Sequence, residues 1–421
     1  MKLQKIVNRL QGLHPKEIDL SLDRVINLCK KLDNPQNKIK TISIVGTNGK
    51  YSTIQAMYAI LKEADVKCNI YTSPHIKKIN ERFVFNNQEL SDEELSKILE
   101  KVEIKNNNQP ITFFEILTAA YFLKAAEYPN NINLIETGLF HRFDATNILK
   151  ENLASVVTSI GLDHLDWLPE NEQTIEKIIY EKTSSLLNSN IIIAKQGSDK
   201  IVNQIKKTVS RNTSQKIFFN EDYNFSLNEN NFFYYEDKIG GIKLPNPNVN
   251  GKFQFENVST AIATLRSIKQ LSIKEKHIKS GITKINNIAR LQELTNGKLK
   301  DLVKNNRLIV DGSHNPLGAK VLSEYLEGLD CNKHIILGMM ANKNHLEYIS
   351  YFKNISSLTT VDIPHQPKSI KGNELKNKLN NYGNIQYKES ITEAIESIPV
   401  QDNDLILITG SLYLAGEVLN L

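Results

Sequence analysis

At 421 residues, 40% hydrophobic and 24% charged, the chain exceeds one typical core and reads as a globular protein of two domains. Its net charge of +5 is mild, and no Lys/Arg block is dense enough to argue for nucleic acid. Cys29, Cys68 and Cys331 lack C-x-x-C spacing, which excludes a disulfide framework or zinc knuckle and points to a reducing cytoplasm. No run approaches ~18 apolar residues and the amphipathic N-terminus has no apolar h-region, so neither secretion nor membrane spanning is expected.

Residues 1–32 read as helical, with Leu3, Ile6, Val7 and Leu10, then Leu22, Val25, Ile26 and Cys29 at helix spacing, expected to pack across the first strand. That strand is the β-branched run Thr41 to Val45, which empties into Gly46-Thr47-Asn48-Gly49-Lys50 and then an apolar-periodic helix through Ile54, Met57 and Ile60. Glycines at such a junction let backbone N–H groups converge, and the helix N-terminus adds partial positive charge. Lys50 reaches outer phosphates, and Ser52 or Thr53 supplies a hydroxyl for Mg²⁺. The spacing departs from G-x-x-x-x-G-K-[ST], because two residues separate Gly46 from Gly49 and Tyr51 precedes Ser52. The plain alternative is a glycine turn with a solvated lysine.

A short strand at 69–73 leads to a loop carrying Asn80-Glu81-Arg82, and Ser91 with Glu94 forms a capping box for the next helix. The helix at 112–127 has an apolar stripe that Glu115 interrupts. A strand at 132–137 ends in Glu136, and one at 155–160 runs into Asp163-His164. Strands alternating with helices predict an α/β fold with a mostly parallel sheet flanked by helices. Ligands would gather outside the strands' carboxyl ends, where Gly46, Glu136, Asp163 and His164 fall.

A helix at 172–187 carries Lys182, strand-helix pairs occupy 190–211, and 223–235 has hairpin character around the polar stretch 228–231. Helices at 253–270 and near 274–283 close a first domain, 1–290. The pattern weakens from 286, and the linker is placed at 291–306. A smaller α/β domain, 307–421, follows, with strands at 307–310, 334–337, 358–363 and 405–409 and helices at 317–328 and 372–380.

The Ser52 hydroxyl and Glu136 carboxylate suit Mg²⁺, although Glu136 also reads as a strand end in solvent. His164 can ligate or shuttle a proton with Asp163 orienting it, although adjacent strand residues face opposite ways; a histidine hydrogen-bonded in a loop is the plain reading. Lys182 reads first as half of a solvated Glu181–Lys182 pair. Asp311, at a strand end, can accept from ribose hydroxyls with His314 in the turn beyond, or the turn simply opens a helix. Thr409-Gly410-Ser411 is a second glycine turn, or Ser411 is a helix cap.

Together these segments resemble the folylpolyglutamate synthase and dihydrofolate synthase family, within the ATP-dependent amide ligases that include the Mur ligases. The resemblance rests on GTNGKYST at 46–53, YTSPHI at 71–76, NERF at 80–83, TFFEILTAAYF at 112–122 and IETGLFHRFDATNI at 135–148. TSIGLDHLDWL at 158–168, EK at 181–182, IVDGSHNP at 309–316 and ITGSLYLAGEV at 408–418 complete it, in the family's order and over essentially the whole chain.

The resemblance implies a P-loop-containing ligase that adds L-glutamate to dihydropteroate or (tetrahydro)folate through an acyl phosphate, with ATP, Mg²⁺ and a monovalent cation such as K⁺. It implies that Thr47, Asn48, Gly49, Lys50, Tyr51 and Ser52 hold the ATP phosphates, Asn257 reads adenine, Arg290 meets phosphate and Asp311 takes the ribose. Lys50, Lys182 and His314 would carry catalysis. Ser52, Glu136, His164 and a carbamylated Lys182 would hold metal. Arg82, Phe114, Arg142, Asp144 and Thr146 would meet the acceptor. Small-molecule substrates, no nucleic acid, no membrane and a monomer follow as expectations. Tyr51, Phe140, His141 and Asn342 depart from the family pattern, as do Phe253 and Gln254, and put substrate choice in question. The competing expectations are a Mur-type ligase acting on a nucleotide-linked peptide precursor, against which the short segment before residue 41 argues, and a nucleotide-binding homologue that has lost catalysis.

Overall fold

The computed structural model describes residues 2–16, 19–227 and 232–421; the stretch 228–231, expected as a polar turn, lies outside the described residues. Two compact units are present. One comprises Met1–His164, Leu168–Asn248 and Phe255–Asn286; the other comprises Leu165–Trp167, Val249–Gln254 and Asn287–Leu421.

The N-terminal unit is built on an eight-stranded sheet in the order 88–89, 83–85, 68–71, 132–136, 40–45, 154–157, 190–193, 216–218. All neighbours are parallel except the hairpin-like edge formed by Phe83–Phe85 and Gln88–Glu89. The strand Lys40–Val45 is buried on both faces after its first residue, as a parallel strand covered by helices must be. Its neighbours are Ile132–Glu136 on one side and Ala154–Val157 on the other, with Ile44 opposite Glu136 and Val45 opposite Val157. Three chain segments therefore leave the sheet side by side at the same end.

The helix Phe113–Ala125 is buried on nearly every face. Thr112 caps it, and Glu115 closes a capping box by accepting from the Thr112 amide (2.8 Å) and hydroxyl (2.7 Å). Arg24 reaches the same carboxylate (3.0 Å), so the acid that interrupts the apolar stripe is both a cap and an ion-pair partner. The helices Lys2–Gln11 and Asp23–Lys31 pack on the helices Asp92–Asn106 and Phe113–Ala125, rather than across the first strand as their periodicity suggested. Their apolar stripes meet a helix layer that already covers the sheet. The region after 222 is a three-stranded antiparallel sheet of Tyr223–Leu227, Phe233–Asp237 and Gly240–Leu244, one strand more than a hairpin.

The C-terminal unit has a six-stranded sheet in the order 292–294, 307–310, 405–409, 333–337, 357–361, 385–388, parallel except for its first strand. The segment 291–306, expected as a linker, is structured: Gln292–Leu294 is the antiparallel edge strand of this sheet and Lys298–Val303 is a helix. Its Asn- and Lys-rich composition hid a three-residue strand whose pairing needs a partner further along the chain. Among the described residues, no helix is long and apolar enough to cross a membrane.

Candidate active site

The loop after Lys40–Val45 turns through Gly46 and Gly49, and the helix Lys50–Glu63 starts at once. Gly49 has φ 88°, and a Cβ there would stand 2.5 Å from Asn257 Oδ1, so only glycine lets this asparagine lie against the loop. The Lys50 ammonium curls over the loop, donating to Gly46 O (3.2 Å) and Thr47 O (3.3 Å), and faces Glu136 at 3.8 Å. Glu136 is buried, not a solvated strand end, and its Oε2 accepts from the Ser73 amide at 3.2 Å. Ser52 and Thr53 are buried in the first turn of the helix. Two expected phosphate donors are engaged elsewhere. The N–H groups of Thr47 (2.9 Å) and Asn48 (3.1 Å) both donate to Ser159 O, and the Thr47 hydroxyl bonds Gly161 (3.1 Å). This stitching fixes the loop to the segment leaving Ala154–Val157.

Lys182 overturns the reading as a solvated surface lysine. It is fully buried at the end of the helix Ile175–Thr183, and Nζ donates to Gly46 O (3.1 Å) and Leu139 O (2.9 Å). Burial pushes its pKa down to about 7, the Lys50 charge adds to this, and Asp163 and Asp144 oppose it. The site therefore gathers Lys50, Lys182, Asp163 and Asp144 within electrostatic reach. As an amine, Lys182 is a donor and not an oxygen ligand, so the unmodified side chain does not belong in a metal set.

The loop 138–147 is clamped to the same helix. The N–H groups of His141 and Arg142 both donate to Glu181 O (3.0 Å each), and the Arg142 guanidinium grips the Glu181 carboxylate through two 2.8 Å bonds. Asp144 accepts from the amides of Gly138 (3.0 Å), Leu139 (3.2 Å) and Thr146 (3.0 Å) and from the Thr146 hydroxyl (2.6 Å). Arg142, Asp144 and Thr146, expected to meet the acceptor, thus spend these polar groups holding the loop. Phe140 is buried, with the Lys182 ammonium 5.6 Å from its ring centre. His141 is buried against Ser185 Oγ (2.7 Å), and burial together with the Lys182 charge pushes its pKa down to about 4.

Because the folded pKa of His141 lies below its ordinary 6.5, the unfolded chain binds the extra proton first. Stability is then full above pH 6.5 and falls as the pH drops towards about 4, by at most about 3 kcal/mol. His75, pushed down to about 4 by burial and Arg82, acts in the same window. A His141→Gln variant should flatten the fall in unfolding midpoint with acid; an unchanged slope would refute the assignment.

The other two residues expected at the acceptor are Phe114 and Arg82. Phe114 stacks on buried Tyr71 (6.0 Å between centroids), and its ring lies 3.0 Å from where a Gly138 Cβ would be. Arg82 donates through Nε to His75 Nδ1 (2.9 Å). Ser73, His75 and Tyr71 were not singled out individually from the sequence, although all fall in the YTSPHI segment. His164 sits in a turn at φ 58°, and its backbone N–H donates to Asp163 Oδ1 (2.9 Å). The left-handed turn folds its ring back to 3.8 Å from Asp163 Oδ2, so the strand rule that adjacent side chains diverge does not apply. Among the described residues, no three His, Cys, Asp or Glu side chains converge to hold a metal ion.

In the C-terminal unit, Asp311 is buried at the end of Arg307–Val310. It accepts from the amides of Leu291 and Ser313 (2.8 Å each). Burial raises its pKa, and Arg290 opposes the shift. Arg290 stands between two non-glycine residues in the left-handed region, Ala289 (φ 53°) and Leu291 (φ 47°). Gln292 Oε1 and Asp311 hold the amides of these two residues. The strained turn had no signature in the sequence. His314 Nδ1 donates to Gly312 O (3.0 Å). Ser411 does cap a helix, accepting from Tyr413 N at 3.1 Å. Asp311→Ala should cost about 2–4 kcal/mol, because two buried amides lose their acceptor. A chemical-denaturation midpoint equal to wild type would show those bonds to be idle.

The N-terminal unit thus carries a lysine-bearing glycine loop at the end of its central strand, and the C-terminal unit is a second, mostly parallel α/β sheet. Residues 298–412 match the family model "Mur ligase, glutamate ligase domain". The chain is 27% identical over 417 residues to dihydrofolate synthase/folylpolyglutamate synthase of Escherichia coli (strain K12), covering 97% of this chain and 93% of that one. E. coli FolC in complex with DHPP and ADP has the same fold, with a TM-score of 0.86 and 26% identity over 99% of this chain and 97% of that one. The Yersinia pestis bifunctional folylpolyglutamate synthase/dihydrofolate synthase complexed with AMPPNP and Mn ion shares the fold at a TM-score of 0.87 and 24% identity, over 99% and 97% of the two chains. The C-terminal unit thus carries the Mur ligase glutamate ligase domain match, and over nearly its whole length the chain is similar to dihydrofolate synthase/folylpolyglutamate synthases.

Proposed function

We propose that the chain is an ATP-dependent ligase that joins L-glutamate to the carboxylate of dihydropteroate or a (tetrahydro)folate. The observation that carries this reading is the convergence of Lys50, Glu136 and buried Lys182 on one glycine loop at the carboxyl end of the central strand. The Ser73 amide links Glu136 to the Tyr71–Phe114–Arg82 side.

Lys50 neutralises charge on the ATP phosphates, and the start of its helix supplies donors. Gly49 admits Asn257 to the nucleotide. One buried carboxylate and one buried hydroxyl, Glu136 and Ser52, fit a hard cation that takes the rest of its shell from water and phosphate oxygens. Mg²⁺ bound there supplies further charge neutralisation. His164, next in the chain to buried Asp163, is the third candidate on this side, and Lys182 joins it only if carbamylated. Arg290, Asp311 and His314 are read as the nucleotide and substrate contacts of the C-terminal unit. Arg142, Asp144 and Thr146 shape the acceptor loop, and Arg82 and Phe114 contact the acceptor.

The acceptor carboxylate attacks the γ-phosphoryl group and releases ADP, giving an acyl phosphate. The glutamate amine then attacks the acyl carbon, forming the amide as phosphate and a proton leave. The protein is read as a cytoplasmic monomer, with Cys29 and Cys68 buried as free thiols. Phosphate release with Mg²⁺-ATP and L-glutamate, measured with dihydropteroate, tetrahydrofolate or a UDP-linked muramyl peptide as acceptor, tests this. Turnover on either pterin acceptor is expected. Turnover on the muramyl peptide alone, or none despite ATP binding, would overturn the reading.

A further inference from the structure

We infer that His75 is the positioning residue for Arg82, a neutral imidazole that accepts the Arg82 Nε–H on Nδ1 and so sets the plane in which the guanidinium meets the acceptor. The inference rests on the reading of Arg82 as an acceptor contact. The bond is 2.9 Å long, and a guanidinium is always a donor, so the imidazole must carry its proton on Nε2. Burial and the Arg82 charge both push the His75 pKa down, to about 4, which keeps the ring neutral wherever the enzyme would work.

The pair is mounted on a rigid frame. The loop leaves the strand Cys68–Tyr71, and Ser73 is fixed through its amide to Glu136 (3.2 Å). Just past His75, the amides of Ile76 (2.7 Å), Lys77 (2.9 Å) and Lys78 (3.0 Å) all donate to the Glu81 carboxylate. The turn Ile79–Arg82 is in turn tied down by Asn80, which donates to Leu90 O (2.9 Å) and Asp92 (3.0 Å). Both backbones are therefore held, and the histidine–arginine bond removes rotation about the last torsion of the arginine. An arginine is a directional reader only when its planar fork is fixed, and ordering it before binding lowers the entropy cost of the complex. Arg82 also acts electrostatically on Tyr71, the ring on which Phe114 stacks, so the oriented charge lies at the aromatic cluster.

The test is a kinetic comparison of wild type, His75→Phe, His75→Gln, Arg82→Ala, Arg82→Lys and the Arg82→Ala/His75→Phe double variant. Dihydropteroate and tetrahydrofolate are varied in turn at saturating Mg²⁺-ATP and L-glutamate. His75→Phe is expected to raise the acceptor KM about tenfold, leaving the ATP KM unchanged and kcat within about threefold. His75→Gln, whose side-chain carbonyl can accept the same N–H, should recover most of the loss. On the Arg82→Ala background His75→Phe should add nothing. Should His75→Phe fold poorly, Arg82→Lys probes the same contact from the other side, keeping the charge and losing the Nε–H; it should show the same acceptor-selective rise. A wild-type acceptor KM in His75→Phe or Arg82→Lys, an equal rise in ATP KM, or additivity in the double variant would overturn the inference alone. An Arg82→Ala variant with wild-type acceptor KM would overturn the acceptor-contact reading of Arg82 along with it.

Discussion

Lys50→Ala should lower phosphate release by about 10²–10³-fold while the unfolding midpoint stays close to wild type. The two halves of this expectation have separate causes. Lys50 opens the helix after the central strand, and among the described residues its ammonium bonds two loop carbonyls while facing Glu136 at 3.8 Å. One of those carbonyls, Gly46 O, keeps Lys182 as a donor, so little hydrogen bonding is lost in the folded state. During phosphoryl transfer, by contrast, charge is spread over oxygens that a preorganised cation stabilises at no reorganisation cost, and alanine offers nothing in its place. Lys50→Arg should recover only part of the rate, because a planar fork on a longer stem does not superimpose on a compact ammonium. Near-normal turnover in Lys50→Ala would remove the phosphate role.

Lys182→Met should cut turnover by a similar factor of about 10² or more, and here stability should fall too, by about 1–3 kcal/mol. Leu139 O loses the amine that reaches it, and the glycine loop loses its strut to the loop 138–142. Methionine nearly conserves volume, so a cavity adds little, and the lost hydrogen bond to a buried carbonyl decides the size of the stability effect. Above pH 7 the wild-type amine is largely neutral, so removing it there does not relieve a buried charge. A variant as stable as wild type would show that the two carbonyls find other donors. Wild-type activity that rises with added bicarbonate would show that a carbamate on Lys182 is the working form; activity independent of bicarbonate would show that the amine is.

The parts of the site that could be read from the chain are those whose chemistry is local. Gly46 to Ser52 is contiguous, and a β-branched run on one side with an apolar-periodic helix on the other is enough to place a glycine loop at a strand-to-helix junction. The capping boxes at Ser91 and Thr112 are equally local, since cap and acid are three residues apart on one turn. Glu136 and Asp311 could be placed at strand ends by pattern alone. Their burial could not, because it depends on what Ser73 and Leu291 bring from elsewhere in the chain.

What the tertiary structure decided is mostly a matter of long-range closure. Lys182 follows Glu181 in an ordinary helical pattern, and it is buried because the loop 138–142 folds over the end of that helix and the glycine loop lies against it. The three-residue strand Gln292–Leu294 has no pattern of its own and exists through its pairing with Arg307–Val310. Asp144 and Thr146 resembled substrate contacts in sequence, yet the energetic cost of leaving buried loop amides unpaired directs them to one another. The sequence by itself determined the α/β class, the glycine loop between strand and helix and the acids at the strand ends, because these follow from periodicity and from neighbours a few residues apart. The burial of Lys182, the inward use of the 138–147 loop and the pairing of His75 with Arg82 were settled only in three dimensions, where distant segments compete for the same hydrogen bonds.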